Sequence, residues 1–283
     1  MKIKWTFLLV GIVAFGCEQL APKVSYTSPL AGKLRTITIV NDSTYRVEAE
    51  YKFYYDSVSG ELIKMKRDKD DSVELYKING KTIKLAYHYL DSLSGIHSDF
   101  DLYAYINDQN YISSISYAYP ENTDPDLNLY RFVFKPDNTI DTIIEPFVPT
   151  PDYIFYNKDF DIVSDARNYV QLKIFTNIHH TTGFPITDTT TRVIDFVYAT
   201  CSSTVPMPEQ SIFSMISFSG WYLDAMDPVY ILNIAGFQAY KPNRNMIDSV
   251  MGCKYTYAFN TNQQVTEIRR SCRPKDLYQM TYY

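Results

Sequence analysis

Residues Tyr255 to Arg270 read YTYAFNTNQQVTEIRR. Aromatics alternate with small polar residues, a polar stretch interrupts, and a second run leads away. Alternation with a period of two puts the tyrosines on one face of a strand. Asn and Gln between two such runs are turn chemistry. The stretch is therefore a β-hairpin, with Asn262 and Gln263 expected as its turn. On that register Cys253 faces Cys272, which makes a cross-strand disulfide geometrically possible. The competing reading is two small apolar residues in a sheet, because a slip of one residue breaks the pairing. Cys201 is then the odd cysteine.

Looser copies of this hairpin recur upstream. Tyr45–Tyr55 and Glu61–Arg67 flank a turn at 56–60, and Val73–Ile78 and Lys81–Tyr89 flank Asn79-Gly80. Asn-Gly is a strong hairpin signal because both residues tolerate the positive φ of a type I′ turn. Leu102–Ile106 and Tyr111–Tyr119 flank residues 107–110, and Leu129–Lys135 and Thr139–Ile144 flank residues 136–138. Tyr169–His180 and Thr191–Thr200 form a further pair with a longer loop. Val229–Tyr240 reads as a strand containing Gly236, and Leu277–Tyr283 as a last strand. Ser211–Ala225 fits a short helix or a buried strand equally.

Composition agrees, with 26 Tyr, 16 Phe and ten Gly among 283 residues. The expected fold is all-β, an antiparallel meander of repeated hairpins forming a curved or partly closed sheet or barrel. A sheet that long must curl or close to protect its edges. Pro146, Pro149 and Pro151 either divide two lobes or lie in one crossing loop. A single domain over 34–283 is the simpler reading.

The N-terminus carries Lys2 and Lys4, an apolar run from Trp5 to Phe15, and then Gly16-Cys17. Eleven apolar residues are too few to span a bilayer, which takes about 20. The pattern is that of a leader. Its end resembles a bacterial lipobox, apart from the bulky Phe15. That resemblance implies a signal peptide over 1–16, lipidation of Cys17, and a tether over 17–33 joined to a membrane. Loss of Lys2 and Lys4 takes the formal net charge from -5 to -7. An acidic chain without a basic cluster argues against nucleic acid.

The Cys-anchored leader, the repeated Tyr-x-Tyr/Phe hairpins, and a C-terminal run through Ala235-Gly236-Phe237, Tyr255-Thr256-Tyr257, Ile268 and Tyr282-Tyr283 resemble uncharacterised lipoproteins of Bacteroidota. Some of these form a domain of unknown function with a porin-like fold. The usual glycine of the final turn is replaced by Asn262-Gln263. The resemblance implies a curved, partly closed sheet in the cell envelope and supplies no catalytic residues. Residues 18–22, Glu-Gln-Leu-Ala-Pro, lack the acidic cluster that marks surface lipoproteins in that phylum, which favours a periplasm-facing outer-membrane placement. A terminal aromatic such as Tyr283 also suits an integral outer-membrane barrel. Lys52, Lys64, Lys66 and Lys84 within strands argue against that.

Asp followed by Ser or Thr, and then by Thr, Val, Leu or Ile, occurs at Ser43, Ser57, Ser72, Ser92, Thr142, Thr189 and Ser249. Composition alone predicts about one or two such triplets. The triplet resembles the O-glycosylation signal of Bacteroidota. It is also ordinary turn chemistry ahead of a strand.

Catalytic motifs are missing: there is no G-x-S-x-G, S-x-x-K, H-E-x-x-H, P-loop or G-x-G-x-x-G. His97, Asp99 and Asp101 would share a strand face and could bind a metal, but Gly95 and Ser98 favour a loop. Asp124–Asn128 opens like a calcium loop but lacks its glycine, and Lys135 stands at its glutamate position. His179-His180 suits a polar hairpin end. No metal or cofactor is expected. Trp221-Tyr222 and the tyrosine stripes either stack on sugar rings or form cross-strand core pairs. The sequence thus leads to a lipid-anchored, non-enzymatic structural or binding module whose expected partner is a glycan or an envelope protein. The alternative is a glycan or small-ligand binder using an aromatic-lined concave face.

Overall fold

The computed structural model describes residues 29–283 except 69, 91–94, 96, 122–127, 137–139, 146–153, 165–168, 181–186, 203–225, 238–244, 251, 263 and 272–275. Between 145 and 202 the side chains are described at 193 and 197 alone. Cys17, Ser92, Asp124–Leu127, Ser211–Ala225 and Cys272 therefore lie outside the described residues.

The strands are β1 (Leu34–Asn41), β2 (Val47–Tyr55), β3 (Leu62–Arg67), β4 (Asp71–Asn79), β5 (Thr82–Leu90), β6 (His97–Ile106), β7 (Ile112–Ser116) and β8 (Asn128–Phe134). They continue as β9 (Ile140–Glu145), β10 (Ile154–Ser164), β11 (Tyr169–His180), β12 (Thr187–Ser202), β13 (Asn245–Val250), β14 (Cys253–Phe259), β15 (Val265–Arg270) and β16 (Asp276–Tyr282). One helix, α1 (Pro228–Ile234), lies between β12 and β13.

Each strand pairs antiparallel with its neighbour in sequence, and β1 pairs with β16, from Leu34↔Tyr282 to Asn41↔Asp276. The strand order closes into a barrel. The described chain ends meet there. Gly32 N donates to Tyr283 O at 3.1 Å, and Tyr283 N donates to Lys33 O at 3.0 Å. Pro29 to Lys33, expected as tether, instead form a turn fastened to the barrel.

One rim of the barrel holds these ends and the β2–β3, β4–β5, β6–β7 and β14–β15 turns; we call it the terminal rim. The far rim holds the β1–β2, β3–β4, β5–β6 and β7–β8 connections.

Alternation decides which face points inward. Ile37, Met65, Val73, Leu85, Ala104, Ile112, Ile115, Ile143 and Ile268 have 0% exposure. Their strand neighbours Lys52, Lys64, Glu74, Lys84 and Asp101 form ion pairs on the outer face. A round sixteen-stranded barrel leaves an aqueous channel. Burial of these inner-face residues shows instead that, among the described residues, much of this interior is filled. Helix α1 supplies part of the filling: Val229, Ile231 and Leu232 are fully buried. Met226 O accepts from the inward Tyr87 hydroxyl at 3.0 Å, and Phe237 lies under Lys77.

Helix α1 corrects the expectation of a strand at Val229–Tyr240. Asp227 caps it, accepting from Val229 N at 2.8 Å and Tyr230 N at 3.3 Å. Pro228 occupies the first turn, where its missing N–H is harmless. Gly236, at φ 91°, ends the helix. Phe237 N bonds Leu232 O and Gly236 N bonds Asn233 O, as in a Schellman motif. The β-branched and aromatic run hid these signals.

Two turns also differ from expectation. Asn79 pairs with Thr82, so the turn lies at Gly80-Lys81. Neither Asn79 nor Gly80 has positive φ; the Asn79 side chain closes the turn by accepting from Lys81 N at 2.8 Å. In the last hairpin Asn260 and Gln264 close the loop, and the register shifts between Ala258 and Phe259. Below that bulge the pairs Tyr255↔Arg270 to Ala258↔Glu267 are those expected. Strands β10 and β13 were not anticipated.

Candidate functional site

Strands β5, β6 and β7 bring four aromatic rings together where the inner face reaches the far rim. Tyr87 and Phe100 are cross-strand partners. Their rings lie 4.9 Å apart at 2°. Tyr89 stacks against Tyr87 at 5.8 Å and Phe100 at 5.7 Å. Tyr117, just past β7, sits 6.5 Å from Phe100.

The series runs outward. Tyr87 is buried and fixed by its bond to Met226 O, and Tyr89 is half-buried. Phe100 is 36% exposed and Tyr117 51%. An aromatic surface thus leads from the filled core to the barrel mouth. His97 and Ser98 beside it are exposed polar groups. Flat rings with a polar edge suit a flat, partly apolar ligand such as a sugar ring. Sequence reading singled out Trp221-Tyr222, outside the described residues, and the tyrosine stripes in general, but not this particular group of rings. The alternation Tyr87-His88-Tyr89 facing Phe100 was the available signal.

The next strand faces carry a second, outward cluster. The segment after β7 folds back over β6 and β7. Tyr103 stacks on Tyr119 at 5.3 Å, Ala118 N donates to Ser116 Oγ at 3.0 Å, and Ser114 donates to Glu121 at 3.1 Å. Tyr105 donates to Ala118 O at 2.5 Å. Burial, reinforced by the Glu121 carboxylate, pushes the Tyr105 phenol up to about 12. These groups satisfy one another, so the cluster reads as a clasp for the segment.

The possible metal group does not assemble. His97, Asp99 and Asp101 belong to β6, not to a loop. Asp99 meets His88 Nδ1 at 3.0 Å and Asp101 meets Lys84 at 2.7 Å. Among the described residues no group of three His, Cys, Asp or Glu is placed to hold a metal ion. His179 and His180 end β11.

The hydroxyls of the Asp-Ser/Thr triplets fall in different environments. Ser43 and Ser57 are exposed in turns. Ser72 is 8% exposed within β4, which corrects its reading as an accessible site. Thr142 and Ser249 are half-buried in β9 and β13, and Thr189 lies in β12. Cys253 is disulfide-bonded. Cys201 lies near the Ser202↔Asn245 pair, away from the Val250↔Cys253 pair.

The fold is an all-β antiparallel meander. No protein-family model matches the chain, and no curated protein matches it. Among solved structures, a porin-like protein from Bacteroides vulgatus ATCC 8482 is similar at a TM-score of 0.46 and 8% identity, over 89% of this chain and 99% of that one.

Proposed function

We propose that the protein is a lipid-anchored binding module of the cell envelope that takes a flat saccharide ring on its far-rim aromatics and carries out no catalysis. The observation that carries this reading is the stack from Tyr87 through Phe100 to Tyr117, buried at one end and open at the other. A core pair needs no exposed member, whereas a platform does. The filled interior turns binding to the mouth, away from any passage through the barrel. Anchoring rests on the lipobox-like Gly16-Cys17 and the periplasm-facing placement on residues 18–22.

Calorimetry against a panel of envelope and dietary oligosaccharides tests the reading. At least one should bind, and Phe100→Ala with Tyr117→Ala should weaken it about 10-fold or more, as loss of stacking worth about 1.4 kcal/mol requires. Phe100 also stacks on the buried Tyr87, so the double variant should lose some thermal stability, and binding is compared at a temperature where both proteins are folded. Equal binding by the double variant, or none by the parent protein, would sink the proposal.

A further inference from the structure

The terminal rim carries an arc of exposed apolar side chains over eight consecutive strands of the ring, β14 to β16 and then β1 to β5. Val58, at the β2–β3 turn, is 84% exposed, and Phe259 and Tyr283 continue the arc. Two further members are placed by bulges. Tyr54 pairs with Lys64 and Tyr55 with Leu62, which leaves Ile63 as the extra residue. Lys77 pairs with Ile83 and Asn79 with Thr82, which leaves Ile78 extra. A bulge re-aims a side chain, and here each presents an isoleucine to solvent, at 45% and 43% exposure.

The charges on this arc are already partnered. Lys77 pairs with Glu61 and Lys81 with Asp108. Lys33 lies 5.8 Å over Tyr55, and Arg35 lies 5.6 Å over Tyr283.

The chain enters the fold on this arc. Pro29 O lies 2.8 Å from where a Cβ on Gly60 would stand, so the entering segment crosses the Val58 turn. Eleven residues, 18–28, separate it from Cys17. Fully extended, they reach about 40 Å. A strand as long as β6, ten residues, spans about 33 Å. A tether of that length reaches the bilayer with slack when the terminal rim faces it. Turning the far rim to the bilayer would draw it nearly taut along the barrel wall.

We infer that the terminal rim is a membrane-contact surface, resting on the bilayer through Val58, Ile63, Ile78 and Phe259 and holding the far-rim aromatics away from it. This rests on the reading of Cys17 as lipidated. The arc's cations are already partnered, so contact should be driven by apolar insertion and should not need anionic lipid.

Full-length lipidated protein in phosphatidylcholine vesicles, with and without brominated chains, tests it. Tryptophan is placed at Val58, at Ile78, or at the far-rim Tyr45, and its added fluorescence is measured against the parent protein. The Val58→Trp and Ile78→Trp signals should be largely lost to brominated lipid, in the presence or absence of salt, and the Tyr45→Trp signal retained. Protein that floats with the vesicles but shows no quenching overturns the contact surface and leaves the anchor standing. Quenching of Tyr45→Trp instead overturns the orientation. Protein that does not float overturns the anchor, and the inference with it. Self-association through the rim would appear as dimers in detergent with unquenched tryptophans, and would also overturn it.

Discussion

Gly60 shows how one residue joins the entering segment to the barrel. Its φ is 69°, a region where a Cβ is strained, and that Cβ would stand 2.8 Å from Pro29 O. The Asp56 carboxylate accepts from Ser59 N and Val58 N, which holds its pKa below the usual carboxylate value and fixes the turn around the glycine. Gly60→Ala should lose about 1–3 kcal/mol in urea denaturation. The same change at Gly80, which has ordinary φ and open space around its Cβ position, should be near neutral. Equal losses at both glycines would refute the close-approach argument.

At the scale of the element, the β14–β15 hairpin keeps the register its sequence implied although its turn does not. The bulge beside Phe259 absorbs the difference, and Lys254 and Ser271 still meet, with Lys254 N donating to Ser271 Oγ at 2.8 Å. On the register read from the sequence, Cys272 is the expected partner of Cys253. Non-reducing peptide mapping should therefore join the Cys253 and Cys272 peptides and leave Cys201 outside the bridge. Cys272→Ser should cost about 3 kcal/mol, the value for a loop of this length. A Cys201–Cys253 peptide would overturn the pairing. Strand alternation and polar turns made such hairpins legible. Helix α1 was not, because Val229-Tyr230-Ile231-Leu232 is apolar all round: a buried helix inside a barrel has no polar face to set its period. The aromatic platform was half legible. Tyr87 and Tyr89 alternate visibly, but only cross-strand register brings Phe100 onto them.

At the scale of the whole molecule, tyrosines buried around the ring make stability depend on alkaline pH. Tyr105 is held at about 12, and burial also raises Tyr55, with Tyr283 adding to it, and Tyr282. An unfolded phenol ionises near pH 10. Below that value both states hold the proton, and the contribution is fully present. As pH rises from about 10 towards 12 the unfolded chain binds fewer protons than the folded one, so stability falls. Ultraviolet titration should show late-ionising tyrosines that titrate together with loss of the folded circular dichroism signal. Tyr105→Phe should shift that transition to higher pH. Independent, reversible ionisation of every tyrosine near its ordinary value would contradict the burial.

The seam between β1 and β16 sets an order of events. The ring is closed by the first and last strands of the chain. During synthesis β1 emerges first and waits for β16. Until then the nascent sheet has two open margins, the configuration most prone to pairing with a stranger. Removing a few residues from the C-terminus would therefore not shorten the barrel. It would reopen it, because β16 bridges β15 and β1.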